Sequence, residues 1–491
     1  MERGSGVLLS IVSLPGKFGI GTLGSDAYSF LDDMCRSGQS YLQILPITQT
    51  GLCNSPYSSV SSYAISPNYI DLDLLLDDGL LTLNERDEFL EGISTNHEKV
   101  DYDYLSEHKL RVLYQAYVRG IDTLRERFLE FKFNNSYWVV DYSMFMAIKR
   151  QQNGAPYWLW EKELIDHHPG ALMKVARENE KVIEFYQFTQ YLAWDQWLKF
   201  KCYANKLGIS IIGDIPIYVA RDSADVWAAP QFFDKQGNVA GCPPDYYSQE
   251  GQLWGNPLYD WQEMRADSYN WWVSRIAYNF ALFDHLRIDH FRAFESYYSI
   301  PGDATSAKEG HWEKGPGMEF ITTLKERLGD VSLVVEDLGT LTSEAFEFLS
   351  MCGYPGLKVL HFAFSESGNN IYLPHNITRN SIIYTGTHDN NTTVGWFKSL
   401  PKEEKTFLTN YIGPCNLSNI SKKMIRLAMS SIADICIIPM QDLLNKDEHA
   451  RLNTPSTTAG NWEWRMLPGE FNAQKIRWLR RQTETFGRLQ Q

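Results

Sequence analysis

Residues 286–292, Leu-Arg-Ile-Asp-His-Phe-Arg, place an arginine and an aspartate two positions apart in an apolar setting. Side chains alternate faces along a β-strand, so Arg287 and Asp289 point the same way and can touch, while Ile288 packs behind them. His290 shares their face only if the strand ends there. A guanidinium lowers the pKa of a neighbouring carboxyl group and keeps it ionised, as a nucleophile must be. A buried structural ion pair would have the same sequence, so both interpretations stay open.

This segment is one of eight short runs rich in β-branched residues, most of them apolar on both faces. Such strands, separated by helical segments, indicate a parallel sheet covered on both sides, and eight of them predict a closed (β/α)₈ barrel of the TIM type. The predicted strands are residues 6–12, 41–47, 209–217, 283–290, 333–338, 356–364, 382–388 and 434–440.

Acidic residues stand at or near the ends of several predicted strands. Asp214 lies in the third, Asp289 in the fourth and Glu336 in the fifth, and Asp389 comes just after the seventh. Barrel enzymes keep their catalytic groups at the C-terminal ends of the strands. These acids are therefore the first candidates for a catalytic site.

The spacing of the strands predicts one barrel unit over residues 1–491 with two insertions. Roughly 160 residues separate the second and third strands, where one repeat needs about 30, and we expect a mostly helical insertion over approximately 75–180. A second insertion, over approximately 221–275, is rich in Pro, Gly, Trp and Tyr, notably at 243–247 and 251–257, and predicts a loop layer over the barrel mouth. The helical stripe of the first insertion consists of Leu110, Leu113, Tyr117, Ile121, Leu124 and Phe128.

Composition excludes several kinds of partner. The 46 basic and 60 acidic residues give a net charge of −14, which argues against nucleic acid or an anionic membrane as partner. Aromatic residues make up 14% of the chain and include 15 Trp and 27 Tyr, a richness that suits the binding of sugars, although most of these rings must be core. Seven cysteines without a CxxC pair fit a reduced cytoplasmic compartment. No apolar run approaches the 18 residues of a membrane span.

Three of the acids fit the cleavage of a glycosidic bond with retention of configuration. That reaction needs one carboxylate as nucleophile and one carboxylic acid that protonates the leaving oxygen, and Asp289 and Glu336 would fill these roles. Glu336 ends an apolar strand, where burial raises a carboxyl pKa, but it could instead cap the next turn. Asp389 could accept hydrogen bonds from sugar hydroxyls or form an Asx-turn.

The histidines leave both a structural and a functional interpretation open. His290 and His388 could be core residues or could donate hydrogen bonds to hydroxyls. The sequence has no HxH or HExxH motif and no clustered His and Cys residues. We therefore expect no metal and no cofactor.

The chain closely resembles the amylomaltases or disproportionating enzymes, 4-α-glucanotransferases related to the α-amylases. The resemblance implies Asp289 as nucleophile, Glu336 as acid/base and Asp389 as transition-state stabiliser. It further implies sugar contacts from Arg287, His290, His388 and Asp214, a stacking Tyr57 at the donor site, and Gln252, Trp254 and Asn461 nearby. The matching motifs lie at residues 5–9, 13–16, 55–57, 213–217, 243–257, 287–294, 336–339, 386–390 and 460–462.

The resemblance predicts an enzyme that cuts an α-1,4-glucan and passes one fragment to a malto-oligosaccharide or to glucose. Glycogen-derived or starch-derived glucans are the expected substrates. It also implies that the barrel is followed by no C-terminal β-sandwich. An α-glucan hydrolase would use the same acids with water as acceptor, and a non-catalytic glucan-binding protein is the alternative from another class.

Overall fold

The computed structural model describes residues 1–244, 249–339, 341–365 and 368–490. The predicted barrel is confirmed: eight parallel strands form one closed sheet. Of the predicted loop motif at 243–247, the residues Asp245, Tyr246 and Tyr247 lie outside the described part. The barrel strands are β1 (Gly4–Leu8), β2 (Tyr41–Gln43), β3 (Ser210–Pro216), β6 (His285–Asp289), β9 (Leu333–Val335), β10 (Gly356–Val359), β11 (Ser381–Tyr384) and β12 (Ile435–Pro439).

The register of three neighbouring strands positions the candidate acids. The strand β6 lies between β3 and β9, with Arg287 opposite Asp214 on one side and opposite Val334 on the other. Their apolar residues, such as Ile288 and Val335, are buried and hold the strands together. Because paired strands lie about 4.8 Å apart, Asp214, Arg287 and the strand ends come within reach of one another.

Five of the predicted barrel strands, the first, second, fifth, sixth and seventh, end three or more residues earlier than expected. The seventh barrel strand was expected over 382–388, but β11 ends at Tyr384 and leaves Asp389 in the loop that follows. The backbone N–H of Thr387 donates to the Oδ1 of Asn390, and the N–H of Asn390 donates to the carbonyl of Thr387. This side-chain-stabilised turn breaks the strand early. It engages Asn390 and leaves the carboxylate of Asp389 outside the turn.

Helices cover the barrel and fill the long segment between β2 and β3. The predicted apolar stripe of the first insertion runs along α4 (Tyr102–Gly120), through Ile121 and Leu124 in the connecting turn, to Phe128 of α5 (Arg125–Asn134). Both helices pack against the long helix α9 (Glu180–Lys206). The helices as far as β3 are α1 (Ser25–Arg36), α2 (Leu72–Asp77), α3 (Leu83–Glu91), α4 (Tyr102–Gly120), α5 (Arg125–Asn134), α6 (Ser136–Gln151), α7 (Lys162–Ile165), α8 (Pro169–Glu178) and α9 (Glu180–Lys206). Those after β3 are α10 (Ala224–Ala228), α11 (Trp261–Ala266), α12 (Asn270–Leu282), α13 (Gly317–Leu328), α14 (Ser343–Cys352), α15 (Thr393–Ser399), α16 (Lys402–Ile412), α17 (Ile420–Ser430), α18 (Met440–Leu444) and α19 (Ala473–Thr485).

A second, antiparallel sheet occupies the region where only loops were expected. Its strands are β4 (Val239–Cys242), β5 (Gln252–Pro257), β7 (Ser296–Ile300) and β8 (His311–Lys314), in the order β5-β4-β7-β8. The first two belong to the predicted loop layer, and the last two follow the barrel strand β6. Gly and Pro in the short strands β4 and β5 mask the strand pattern. The pairing of β4 with β7 joins segments distant in sequence, which local sequence does not indicate.

Helices and connecting segments follow β12 as far as Gln490. In the described part of the chain, no helix combines the length and the apolar composition that crossing a bilayer requires.

Gly213 offers a test of packing behind the site. A Cβ atom at this position of β3 would overlap the ring of Phe283, which is buried. We expect Gly213→Ala to lower the free energy of unfolding by about 1–3 kcal/mol, the usual cost of overpacking a core. Urea denaturation measures this change in the free energy of unfolding.

Gly170→Ala is the matched control, because a Cβ at this position in α8 makes only ordinary contacts. Replacing a helical glycine with alanine should leave stability equal or raise it by about 0.5–1 kcal/mol. Equal stability of the two variants would contradict the packing described for β3.

Candidate active site

A cavity of about 1320 Å³ opens beside the C-terminal ends of the barrel strands. It exceeds the roughly 300–1,000 Å³ of a typical small-molecule pocket, so it has room for an extended ligand. The cavity brings together ten of the eleven residues named from the sequence: Tyr57, Gln252, Trp254, Arg287, Asp289, His290, Glu336, His388, Asp389 and Asn461.

Arg287 bridges two carboxylates beneath this cavity. One guanidinium N–H donates to Oδ2 of Asp214 at 2.6 Å, and another donates to Oδ1 of Asp289 at 2.7 Å. The side chain of Asp214 is fully buried, whereas that of Asp289 is 31% exposed. Although burial opposes its charge, the two carboxylates raise the pKa of Arg287 well above its ordinary value. The positive charge of Arg287 is therefore permanent and orients Asp289 toward the cavity.

Asp214 is the one named residue that does not line the cavity. Its Oδ2 also accepts the hydroxyl hydrogen of Tyr57 at 2.8 Å, and its Oδ1 has no partner among the described residues. Burial raises the pKa of Asp214, an effect that the charge of Arg287 opposes. Direct sugar contact from Asp214, which the family resemblance implied, does not fit this position. Asp214 instead supports Arg287 and Tyr57 from behind.

Glu336 follows β9, and opposing effects act on its pKa. Its Oε2 accepts the N–H of His290 at 2.9 Å and its Oε1 accepts the N–H of Leu338 at 2.7 Å. The second bond is the turn-capping contact considered from the sequence, and both bonds favour the ionised form. Burial and the negative charge of Asp289 act in the other direction and raise the pKa of Glu336 to about 8. At pH 7 the protonated acid therefore predominates.

His290 has an unusual backbone conformation directly after β6. Its φ of 53° and ψ of 43° lie in the left-handed region, which few residues other than glycine adopt. This turn aims its N–H at Glu336. Burial lowers the pKa of His290 to about 4, so the ring is neutral at pH 7. Its Nε2 is buried and has no hydrogen-bond partner within the described ranges.

Asp389 is held by residues from the segment after β12. The side-chain amide of Asn453 donates to its Oδ1 at 2.6 Å, and Arg451 donates to its backbone carbonyl at 2.7 Å. The His388 Nε2 lies 3.4 Å from Oδ2 of Asp389. With 45% of its side chain exposed, Asp389 can still accept hydrogen bonds from a ligand.

Aromatic rings form the wall beside Asp389. The ring of Tyr57 stacks on His388 with centroids 5.1 Å apart, and Trp462 packs against both at 5.8 and 6.0 Å. Asn461 lines the cavity, but its side chain bonds to Thr454 and Thr457 and so stabilises its own loop.

Trp254 and Gln252 stand on the opposite side, on strand β5. The indole N–H of Trp254 donates to Oε1 of Gln252 at 3.0 Å, and its ring meets His290 edge-on at 4.9 Å. The side chain is 37% exposed, so part of the ring is open to the cavity.

Sequence analysis missed Asn453, Arg451 and Trp462 as parts of the site. The motif at 460–462 included Trp462, but only Asn461 was selected from it. Arg451 and Asn453 lie in an irregular segment, where Asn453 precedes Thr454, Pro455 and Ser456 and its sequence therefore indicates only a loop. Their one available indication was their position after the last barrel strand, where loops reach the site.

Comparisons with known proteins agree on one family. Residues 9–470 match the family model described as 4-alpha-glucanotransferase. The chain is 42% identical over 489 residues to the 4-alpha-glucanotransferase of Clostridium butyricum, covering 98% of this chain and 100% of that one. The corresponding protein of Thermus thermophilus is 39% identical over 506 residues, and both chains are covered fully.

Solved structures give the same result. The amylomaltase from Streptococcus agalactiae in complex with acarbose superposes with a TM-score of 0.96 at 38% identity, over 100% of both chains. The amylomaltase from Corynebacterium glutamicum shares the fold, with a TM-score of 0.78 at 19% identity over 99% of this chain and 74% of that one.

The buried ion pairs of Arg287 with Asp214 and Asp289 lead to a prediction about stability. Replacing Arg287 with the similarly long Met leaves the buried Asp214 without its cation, and breaking a buried pair in this way typically costs about 3–5 kcal/mol. We expect Arg287→Met to lower the free energy of unfolding by that amount at pH 7. Adding Asp214→Asn should recover part of the loss, because it removes the uncompensated charge.

Arg480→Met is the control, since the Arg480–Glu484 pair is exposed on a helix and such pairs contribute only about 0.3–0.5 kcal/mol. Urea unfolding of the wild type and the three variants measures these differences. A loss for Arg287→Met no larger than for Arg480→Met would show that Arg287 does not hold the site together.

Proposed function

Because the chain belongs to the 4-α-glucanotransferase family, we propose that Asp289 is its nucleophile and Glu336 its acid/base. The enzyme transfers segments of α-1,4-glucan by a retaining double displacement with a covalent glycosyl-enzyme intermediate. One observation carries the assignment of the two carboxylates. Asp289 is paired with Arg287, whereas Glu336 makes no ion pair within the described residues and has its pKa raised to about 8. A retaining enzyme needs this combination of an ionised and a protonated carboxyl group.

In the first step Asp289 attacks the anomeric carbon of the donor glucan. The new bond forms between its carboxylate oxygen and that carbon while the glycosidic bond breaks. Glu336 gives its proton to the departing 4-oxygen, which leaves as the hydroxyl of the released fragment.

In the second step the acceptor takes the glycosyl group. Formation of the ester removes the negative charge of Asp289, one of the influences that raise the pKa of Glu336. The pKa of Glu336 then falls, and its carboxylate can take the proton from the 4-hydroxyl of the acceptor. That oxygen attacks the anomeric carbon, Asp289 leaves, and two displacements together retain the configuration.

The surrounding residues bind and orient the donor sugar. Asp389, held by Asn453, accepts hydrogen bonds from ring hydroxyls as positive charge develops on the sugar. Neutral His290 and the nearby His388 contact hydroxyls from either side, and Tyr57 offers its ring as a stacking surface. The acarbose bound by the relative from Streptococcus agalactiae supports an α-glucan as the ligand of this cavity.

Malto-oligosaccharides and glucose are the acceptors that we infer. Water is the competitor, and the enzyme must disfavour its attack by excluding it or by reserving the base for a bound sugar. The partly open ring of Trp254, fixed by Gln252 and beside His290, can cover the apolar face of an acceptor glucose.

Maltotriose alone tests this function. The wild-type enzyme should convert it to glucose and longer oligosaccharides, which chromatography separates. Asp289→Asn should remove turnover by several orders of magnitude, because it removes both the covalent bond and the charge. The variant should still bind maltotriose.

Shorter sugars as the only wild-type products would indicate a hydrolase, and binding without conversion would indicate a glucan-binding protein. Turnover by Asp289→Asn at near wild-type rate would contradict the nucleophile. Asp195→Asn is the matched control, since Asp195 lies on α9 in an exposed pair with Lys199; it should behave as wild type.

The pH dependence of the first step tests Glu336. The acid must be protonated, so kcat/KM for maltotriose should fall about tenfold per pH unit once the pH exceeds about 8, the pKa of Glu336. Glu336→Gln should lose most activity on maltotriose but much less on α-maltosyl fluoride, because fluoride leaves without protonation.

Stopped assays with both substrates between pH 5 and 10 measure these values. For the fluoride the fall above pH 8 should be weak in the wild type and absent in the variant. Equal losses on the two substrates would rule out Glu336 as the acid.

A further inference from the structure

The helical insertion contributes an aromatic residue to the wall of the cavity. Trp158, in the short 3₁₀ turn Tyr157–Leu159, lines the cavity together with Arg221 from the segment after β3. Its side chain is 37% exposed. Its contacting rings and cations are Tyr157 and Arg221, and the catalytic acids are not among them. Trp158 is thus held by the helical insertion and by the segment after β3, and these ring and cation partners do not lie on the barrel strands.

The turn that presents Trp158 is fixed to the barrel. Asp222 accepts a hydrogen bond from Lys149 of α6 at 2.5 Å and another from the N–H of Tyr157 at 3.2 Å. On the other side of the turn, the ring of Trp160 is buried against Trp227 of α10. The side chain of Trp158 thus starts from a rigid backbone, which lowers the entropic cost of holding a ligand there.

Arg221 completes the arrangement. Its guanidinium lies over the ring of Trp158, 4.6 Å from the centroid, a cation–π contact that fixes the ring plane. Arg221 is exposed, and it makes no hydrogen bond or ion pair with the residues that the structure describes. Its N–H donors are therefore available to a ligand, and a guanidinium can bridge two adjacent acceptors.

We propose that Trp158 and Arg221 form a remote subsite that binds a glucose unit of a long α-glucan, several units from the scissile bond. A flat apolar ring beside planar donors suits a glucose unit, which has an apolar face and hydroxyls around its edge. The inference rests on the proposed function for the identity of the sugar. It goes beyond that function because it assigns preference for long chains to the insertion and not to the barrel.

The test compares a long and a short substrate in the same enzyme. Trp158→Ala should lower the ratio of kcat/KM for maltoheptaose to kcat/KM for maltotriose about tenfold, the scale of one well-formed aromatic contact. Trp158→Phe should keep most of the ratio, and Arg221→Met should lower it by a smaller factor.

Leu159→Ala is the matched control, because Leu159 is the next residue, is 68% exposed and lies outside the cavity lining. It should keep both the wild-type ratio and the wild-type melting temperature. A wild-type ratio in Trp158→Ala would overturn the proposal. Parallel losses on both substrates would also overturn it, since a residue that only anchors the insertion would affect every substrate alike.

A binding experiment separates this inference from the proposed function. Calorimetric titration of Asp289→Asn, with and without Trp158→Ala, gives Kd for maltoheptaose and maltotriose without turnover. The added substitution should weaken maltoheptaose binding about tenfold relative to maltotriose. If the wild-type enzyme transferred no sugar, the proposed function would be wrong. The ratio of the two Kd values would still show whether the subsite exists. Equal Kd changes for the two sugars would contradict it.

Discussion

Two carboxylates share the guanidinium of Arg287, and the geometry of the site follows from that arrangement. Alternation along β6 puts Asp289 on the same face as Arg287, and the register with β3 puts Asp214 beside it. A buried arginine that lacked both partners would carry charge that the interior does not compensate. The bridge therefore ties two barrel strands together and orients Asp289, the proposed nucleophile. Through Asp214 it also positions Tyr57, whose ring forms part of the sugar-binding wall.

The protonation of Glu336 depends on a balance between hydrogen bonds, burial and the charge of Asp289. Glu336 accepts two backbone N–H groups, yet burial and the charge of Asp289 dominate and raise its pKa to about 8. One of those N–H groups is available because His290 adopts the left-handed conformation, which costs about 1–3 kcal/mol for a residue other than glycine. The strain falls at His290, the residue after Asp289, and the peptide between these two residues donates its N–H to Glu336. A change in backbone at His290 would therefore disturb both carboxylates at once.

Sequence reasoning succeeded where the determining interactions are local or periodic. The eight barrel strands follow from apolar runs, and contact between Arg287 and Asp289 follows from their spacing of two. Predictions from the sequence failed where the interacting residues are distant from one another along the chain. Nothing around Asn453 indicates that its amide reaches Asp389, 64 residues earlier. The antiparallel sheet was not predicted for the same reason, because β4 pairs with β7, which is distant in sequence, as well as with β5.

The proposed catalytic residues and the proposed subsite for long glucans lie in different parts of this chain. Asp289 and Glu336, the proposed nucleophile and acid/base, stand on a barrel strand or directly after one, and hydrogen bonds within the closed sheet restrict the movement of those strands. The outer walls of the cavity come from separate segments: Trp254 from the antiparallel sheet, Trp158 from the helical insertion and Trp462 from the segment after β12. Each wall is anchored by its own contacts, as Trp254 is by Gln252 and the turn at Trp158 is by Asp222. A substitution in one wall can therefore change which glucans bind while leaving the pairing of Arg287 with Asp289 intact. The length of the preferred substrate can then change without any change in the reaction.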